Sequence, residues 1–244
     1  MNAEACHGGC CELGAAHTFV ILAMLKMPYS CATDIPTRTP VHMMSQTHVL
    51  LSAAAFTKPG APVRNSAALL GAILPDASIY VMLAILQFQG VEQQRIWDEV
   101  YWQEPWQFFS AVSNSFPLFL TIALIGLMMQ WFARTPVTEF ASVFLSALGL
   151  SALLHLSFDF PVHAEDAHRH FWPVTDWRFF SPLSYWDSDH FGDYVRLVEA
   201  LLGATASIVL WRRFKQVWVR IAVGIALAFY LLVPAFFIWS LSSG

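Results

Sequence analysis

FASVFLSALGLSALLHLSFDFPVHAEDAHRH, residues 140–170, falls into two halves of opposite character. The first, residues 140–154, carries no charged side chain and reads as a helix buried in hydrocarbon. The second concentrates His155, Asp159, His163, Asp166, His168 and His170 at the end of that run. Imidazoles and carboxylates are costly to hold at a membrane boundary unless something binds them. His155 and Asp159 are four residues apart, so a helix carries them on one face, one turn above the other. An imidazole nitrogen and a carboxylate oxygen so placed can grip one divalent cation. This stretch therefore predicts a metal site at the mouth of a membrane helix.

The remaining chain extends the character of the first half. Of 244 residues 57% are apolar and only 12% charged, against about 25% charged in soluble domains. Apolar runs at 116–133, 140–156, 194–211 and 217–241 approach or exceed the roughly 20 residues that cross a bilayer. The third of these carries Arg196 and Glu199 near its start, and a fifth run, 67–88, is interrupted by Pro75-Asp76. The expectation is an all-α integral membrane bundle of about five transmembrane helices plus a short N-terminal helix, spanning residues 44–244. Arg212, Arg213, Lys215 and Arg220 fill the link between the last two runs, Lys58 and Arg64 precede the run with Pro75, and Arg134 follows the next. Alternate threading places all of them on one side, the cytoplasmic one by the positive-inside tendency, as in a multi-pass protein of the cell inner membrane. The His/Asp cluster then faces the opposite side. Formal net charge is −4, with no basic arm or aromatic-basic interleaving, so nucleic acid is not an expected partner.

Residues 1–43 read differently. They hold all four cysteines, Cys6, Cys10, Cys11 and Cys31, and their apolar run 15–25 is too short for a comfortable span. The Cys6/Cys10/Cys11 spacing beside His7 matches no standard zinc pattern, and a poorly ordered extension is expected. From Thr47 organisation begins: Thr47 is placed to cap a short helix over 49–56, ended by Lys58-Pro59-Gly60, and Asn65 or Ser66 to cap the next. Pro75 must kink or end that helix, and carbonyls freed at such a break often line a polar site. Asp76 sits at the break, as a ligand, as a cap of the following half-helix, or both. Residues 89–115 and 160–192 are rich in Trp, Tyr and Phe, which suits segments lying along the membrane interface.

Among the loop residues, His163 and His168 can complete a metal shell, orient its ligands or move protons, and Asp166 is a candidate base or orienting carboxylate. Asp176, Asp187, His190 and Asp193 suit caps and interface positions. His48 reaches Asp76 only if the short first helix folds back. No glycine-rich phosphate loop, nucleophile elbow or HExxH helix occurs, and no cysteine lies in residues 44–244.

Thr47-His48 opening a short apolar helix, then Leu74-Pro75-Asp76, then His155-x-x-x-Asp159 at a later helix end, together resemble the YdjM-like membrane-bound metal-dependent hydrolases, over roughly residues 48–182. That family is similar in motif logic to zinc-dependent phospholipase C. The resemblance implies that Asp76, His155 and Asp159 ligate the metal and that His48 matches the family's early histidine. The family's His-Arg-Gly-x-Thr-His-Ser motif is replaced by Phe-Ser-Ala-Val-Ser-Asn-Ser at 109–115, with Asn114 where a histidine stands. An amide oxygen is a poorer zinc ligand than imidazole, so either His163 or His168 takes over or hydrolase activity is lost. The residues after Asp159 mark a divergent bacterial subgroup.

Together these readings predict a divalent metal, zinc, held by Asp76, His155, Asp159, His163 and His48, with Asp166 and His168 in catalytic roles. The expected activity is hydrolysis of a phosphoester or other amphiphilic substrate, with membrane lipid as the surrounding partner. Two other readings stay open: a non-catalytic membrane protein with a structural metal or polar cluster, and a transporter-like protein using Asp76 in an ion path.

Overall fold

In the computed structural model of the chain the described residues are 45–185 and 187–242, with side chains described to residue 232. They belong to one compact unit, residues 38–244. The extension 1–43 and the cysteine reading lie outside the described residues. Among the described residues the fold is all-helical, with no strand.

Helix α1, Ser45–Phe56, contains neither Gly nor Pro and stops before the Lys58-Pro59-Gly60 turn, where Gly60 adopts φ +78°. The turn is held by Asn65, whose side chain accepts from the Lys58 N–H at 2.8 Å and donates to the Lys58 carbonyl at 2.9 Å. Asn65 therefore clamps the turn rather than capping a helix, and α2, Pro62–Ile73, begins earlier, with Pro62 in its first turn. Pro75 ends α2, because its ring cannot continue the hydrogen-bond ladder. A three-residue turn, Leu74–Asp76, leads into α3, Ala77–Phe88.

Short helical turns at Gln93–Arg95 and Ile96–Val100 precede α4, Glu104–Ser113. Part of the aromatic connection expected along the interface is thus a helix that runs almost directly into α5, Phe116–Phe132, interrupted only at Asn114-Ser115. The Ser115 hydroxyl caps α5 by accepting from the Leu118 N–H. Helix α6, Pro136–Asp159, opens on a reciprocal Thr135/Thr138 capping box. Helices α7, Gly192–Arg213, and α8, Val217–Ser242, complete the order.

Among the described residues four helical stretches are long and apolar enough to cross a membrane: Pro62–Phe88, Glu104–Phe132, Pro136–Val162 and Gly192–Arg213. Val217–Leu232 is a shorter apolar stretch among the described residues. Small residues set the helix contacts, as expected where apolar lipid gives no driving force for burying apolar faces. Gly71 of α2 lies against the Leu148 carbonyl and Ser151 of α6, and the Ser151 hydroxyl donates to the Ala68 carbonyl at 2.5 Å. Gly149 of α6 faces Ala123 of α5 so closely that a Cβ would stand 2.6 Å from its nitrogen. Gly203 of α7 receives the Tyr230 ring of α8.

Helix α1 folds back into this bundle beside α7. Thr47 lies inside the helix rather than capping it, and its buried hydroxyl donates to Glu199 at 2.6 Å, with the Tyr230 hydroxyl also at 2.6 Å. At the other end Arg213 donates to the Thr57 carbonyl at 2.9 Å. Both contacts advance together along the two helices, so α1 runs parallel to α7 and carries His48 toward the end of the bundle where α6 stops.

Candidate metal centre

Three elements converge where α6 ends. Helix α6 supplies His155 and Asp159 from one face, α1 supplies His48, and the break after α2 supplies Asp76. His48, His155 and Asp159 are buried, and one ligand atom from each lies within 4.8 Å of the others. His48 Nε2 is 2.9 Å from Asp159 Oδ1 and His155 Nε2 is 2.9 Å from Asp159 Oδ2, so the carboxylate stands between two imidazoles. The two rings stack with centroids 3.8 Å apart. Asp76 Oδ1 is 3.5 Å from His155 Nε2, and its other oxygen accepts from the Ser45 hydroxyl, which also meets Tyr80. Asp76 makes no side-chain cap to α3, so the capping role open in the sequence is not the one it takes.

The tautomer of His155 follows from its outer partner. Nδ1 lies 2.7 Å from the Ala72 carbonyl, which can only accept, so Nδ1 carries a hydrogen. Nε2 then faces a carboxylate oxygen at 2.9 Å. Either Nε2 carries a second proton and His155 is an imidazolium, or Nε2 and Asp159 share a cation. A metal-bound histidine almost always has its far nitrogen tied to a carbonyl or carboxylate in this way. The residues present therefore fit a metal ion: two buried imidazoles, a buried carboxylate between them, and a half-buried carboxylate alongside.

A second ring of side chains comes from the segment after α6, which is irregular rather than helical between His163 and His170. His163 Nε2 stands 3.8 Å from Asp159 Oδ2 and its Nδ1 3.0 Å from Asp166 Oδ2, so it bridges two carboxylates. Burial opposes charge on His163, but the Asp166 and Asp159 carboxylates outweigh it and raise its pKa to about 10. Burial likewise opposes charge on Asp166, yet His163 beside it lowers the carboxyl to about 2, helped by the Tyr185 hydroxyl that donates to it at 3.0 Å. His168 Nδ1 meets the Ser110 hydroxyl at 3.0 Å and the Tyr101 hydroxyl at 3.3 Å, and burial pushes its pKa well down. His170 is 2% exposed and donates from Nδ1 to the Asn114 carbonyl at 3.0 Å. Burial lowers it to about 4, so its imidazole is neutral at neutral pH.

Asn114 is also buried and turned to backbone. Its amide donates to the Pro75 carbonyl at 3.2 Å and to the Ser110 carbonyl at 3.0 Å. It thus ties the break between α4 and α5 to the break between α2 and α3. The loop is fixed in turn by Phe116 N–H donating to the His170 carbonyl at 2.8 Å and by Arg178 donating to the Ala167 carbonyl and Gln107, each at 2.8 Å.

A cavity of about 300 Å³ opens onto the group, lined at its polar end by His48, Asp76, Asp159, His163 and His168 and elsewhere by Ile79, Tyr80 and Leu83 of α3. Every residue singled out from the sequence, Asp76, His155, Asp159, His163, His48, Asp166 and His168, is placed on or beside this one site. His170, already part of the cluster in the sequence, lies with them, and Ser45, Tyr101, Ser110 and Tyr185 join without a sequence signal of their own, because only the folded chain brings them near. Asp187, His190 and Asp193 stay apart: Asp187 caps the turn Ser188–His190 and pairs with His190 at 2.8 Å, while Asp193 pairs with Arg196.

Among the described residues, fold and site together define a helical protein with four helices long and apolar enough to span a membrane and a buried His/Asp group able to hold a metal ion. No protein-family model, curated protein or solved structure matches the chain.

Proposed function

We propose that the chain is a multi-pass inner-membrane hydrolase of the YdjM-like kind, with zinc held by His48, His155 and Asp159 and an amphiphilic phosphoester as substrate. The observation that carries this reading is His155: one nitrogen given to a backbone carbonyl, the other aimed at a carboxylate that a second imidazole also touches. Nitrogen and carboxylate donors in that ratio suit zinc better than magnesium or calcium. Three protein ligands are the usual number at catalytic zinc, where the fourth position stays open. Asp76, part exposed on the cavity side, faces that opening and is placed to orient a water or take its proton. When bound, the zinc supplies a Lewis acid and brings the pKa of a coordinated water to about 7.

His163 is paired with Asp166, and His168 lines the same cavity as a neutral imidazole. The cavity's mixed lining, acidic and imidazole at one end with Ile79 and Leu83 beyond, suits a molecule with a polar head and an apolar tail.

Metal content and phosphodiester hydrolysis, measured on the purified chain and on His155→Ala, test this reading. We expect bound zinc and slow hydrolysis of a lipid-like phosphodiester, both removed by the substitution while the helical content stays. Metal without hydrolysis of any ester removes the enzyme reading. The direct 2.9 Å contacts of Asp159 favour one other reading, a polar clip that holds α1 against α6. In that case His155→Ala unfolds the chain, and chelation of the native protein changes neither its stability nor any activity.

A further inference from the structure

We infer that His163, His168 and His170 form a second cation site, beside the first and sharing its Asp159. The three imidazoles are buried and follow one another in contact, with ring centroids 4.7 Å apart for His163 and His168 and 5.6 Å for His168 and His170. Two imidazoles on a common zinc ion, at about 2.0–2.1 Å each, place their ring centroids roughly 5 Å apart. Two of the rings have Nδ1 hydrogen-bonded from outside, His168 by the Ser110 hydroxyl at 3.0 Å and His170 by the Asn114 carbonyl at 3.0 Å, while His163 Nδ1 stands 3.0 Å from the Asp166 carboxylate as an ion pair. That leaves Nε2 as the remaining donor of His168 and His170, the arrangement seen when a histidine is oriented for metal, and on His163 an ion would take the place of the Nε2 proton.

His170 points to a ligand independently of the others. Its Nδ1 must carry the hydrogen, since a carbonyl only accepts, so its Nε2 is a bare lone pair, buried and with no partner among the described residues. A buried acceptor left unpaired is disfavoured unless something outside the chain meets it. Asp159 provides the link to the first site, with Oδ2 3.8 Å from His163 Nε2. Three imidazoles and one carboxylate select a transition ion of the zinc type over magnesium or calcium.

The two sites differ in readiness. Among the described residues only His48, His155 and Asp159 already have their donor atoms mutually within 4.8 Å. The histidines of the second site have to draw in around an ion, so it fills after the first and more weakly. With Asp76, Asp159 and Asp166 nearby, two divalent ions leave the cluster one positive charge in excess, suited to an anionic ligand such as a phosphoester.

The test is a cobalt(II) titration of the full-length, chelator-stripped chain in detergent, with bound ions counted by elemental analysis after dialysis. We expect two ions per chain in two phases. His170→Ala and, separately, His168→Gln should abolish the weaker phase and keep the tighter one, while His155→Ala should abolish the tighter. Saturation of the unsubstituted chain at one ion overturns the second site and leaves the proposed function standing; saturation at none removes both. Two ions retained by His170→Ala and His168→Gln, or a second phase with the strong near-ultraviolet band of cobalt bound to cysteine sulfur, also overturns it. Should His170→Ala fail to fold, His168→Gln and the count on the unsubstituted chain still decide.

Discussion

His155 has one nitrogen committed before any ligand arrives, and the chemistry of the site follows from that commitment. The Ala72 carbonyl fixes the hydrogen on Nδ1, so whatever sits between Nε2 and Asp159 must be positive. The same economy governs His163 and Asp166, whose contacts support each other's charged forms. The Asp166 carboxyl is lowered from 3.8 to about 2, so its stabilising contribution is present above pH 3.8 and is lost as pH falls toward 2. The His163 imidazole is raised from 6.5 to about 10, so its contribution is present below pH 6.5 and is lost as pH rises toward 10. In the chelated protein, the difference in thermal midpoint between the unsubstituted chain and Asp166→Asn should therefore be largest between about pH 4 and 6.5 and shrink on both sides. Thermal unfolding across that range checks it, and a difference independent of pH would remove the ion pair as the cause.

The helices matter through where they stop and how closely they approach. Helix α2 stops at Pro75 and α4 stops at Asn114, and the Asn114 amide joins the two breaks by binding the Pro75 carbonyl. Irregular backbone of this kind is tolerated between membrane helices only where it is buried in protein or lines a cavity, and here it does both. Gly71, one residue before the carbonyl that orients His155, lies against α6 with no room for a Cβ. Gly71→Ala should force α2 from α6, destabilise the fold by about 1–3 kcal/mol, and weaken metal retention by shifting Ala72. Comparing its chelator resistance with that of Gly60→Ala, where no atom lies within 4 Å of the added Cβ but φ is +78°, separates site geometry from plain loss of stability. Equal metal loss in the two variants would count against the link between Gly71 and the site.

Among the described residues the His/Asp chemistry collects at one end of the bundle, and most of the basic residues, Lys58, Arg64, Arg134, Arg212, Arg213, Lys215 and Arg220, belong to the turns and links at the other, while Arg95, Arg169, Arg178 and Arg196 lie on the site's side. Arg213 reaches Thr57 next to Lys58, and Lys215 follows in the link between α7 and α8, while His48, Asp159 and the loop from His163 to His170 lie at the opposite end of α1 and α6. In a cysteine-free background, Lys215→Cys should react with an impermeant thiol reagent only from the cytoplasmic face and Glu165→Cys only from the other. Both positions are exposed. Labelling of both from one face would refute the proposed orientation and with it the assignment of the site to the outer side.

Reading the chain in order was enough for the apolar runs, the stop at Pro75 and the pairing of His155 with Asp159. Each of these depends on neighbours within one or two helical turns, and local spacing dictates them. It did not extend to the helix at Glu104–Ser113, whose aromatic residues suit an interface and a helix equally. Nor did it reveal the return of α1 along α7, which needs Thr47, Glu199 and Tyr230 to meet across more than 150 residues of sequence. The site as a whole is of that second kind. His48, His155 and Asp159 come together, with Asp76 beside His155, because small residues let the helices approach and because two helix breaks are tied together, and neither condition leaves a periodic trace in the chain. His170 makes the case most plainly: its lone nitrogen acquires meaning only once folding has removed every other partner from its reach.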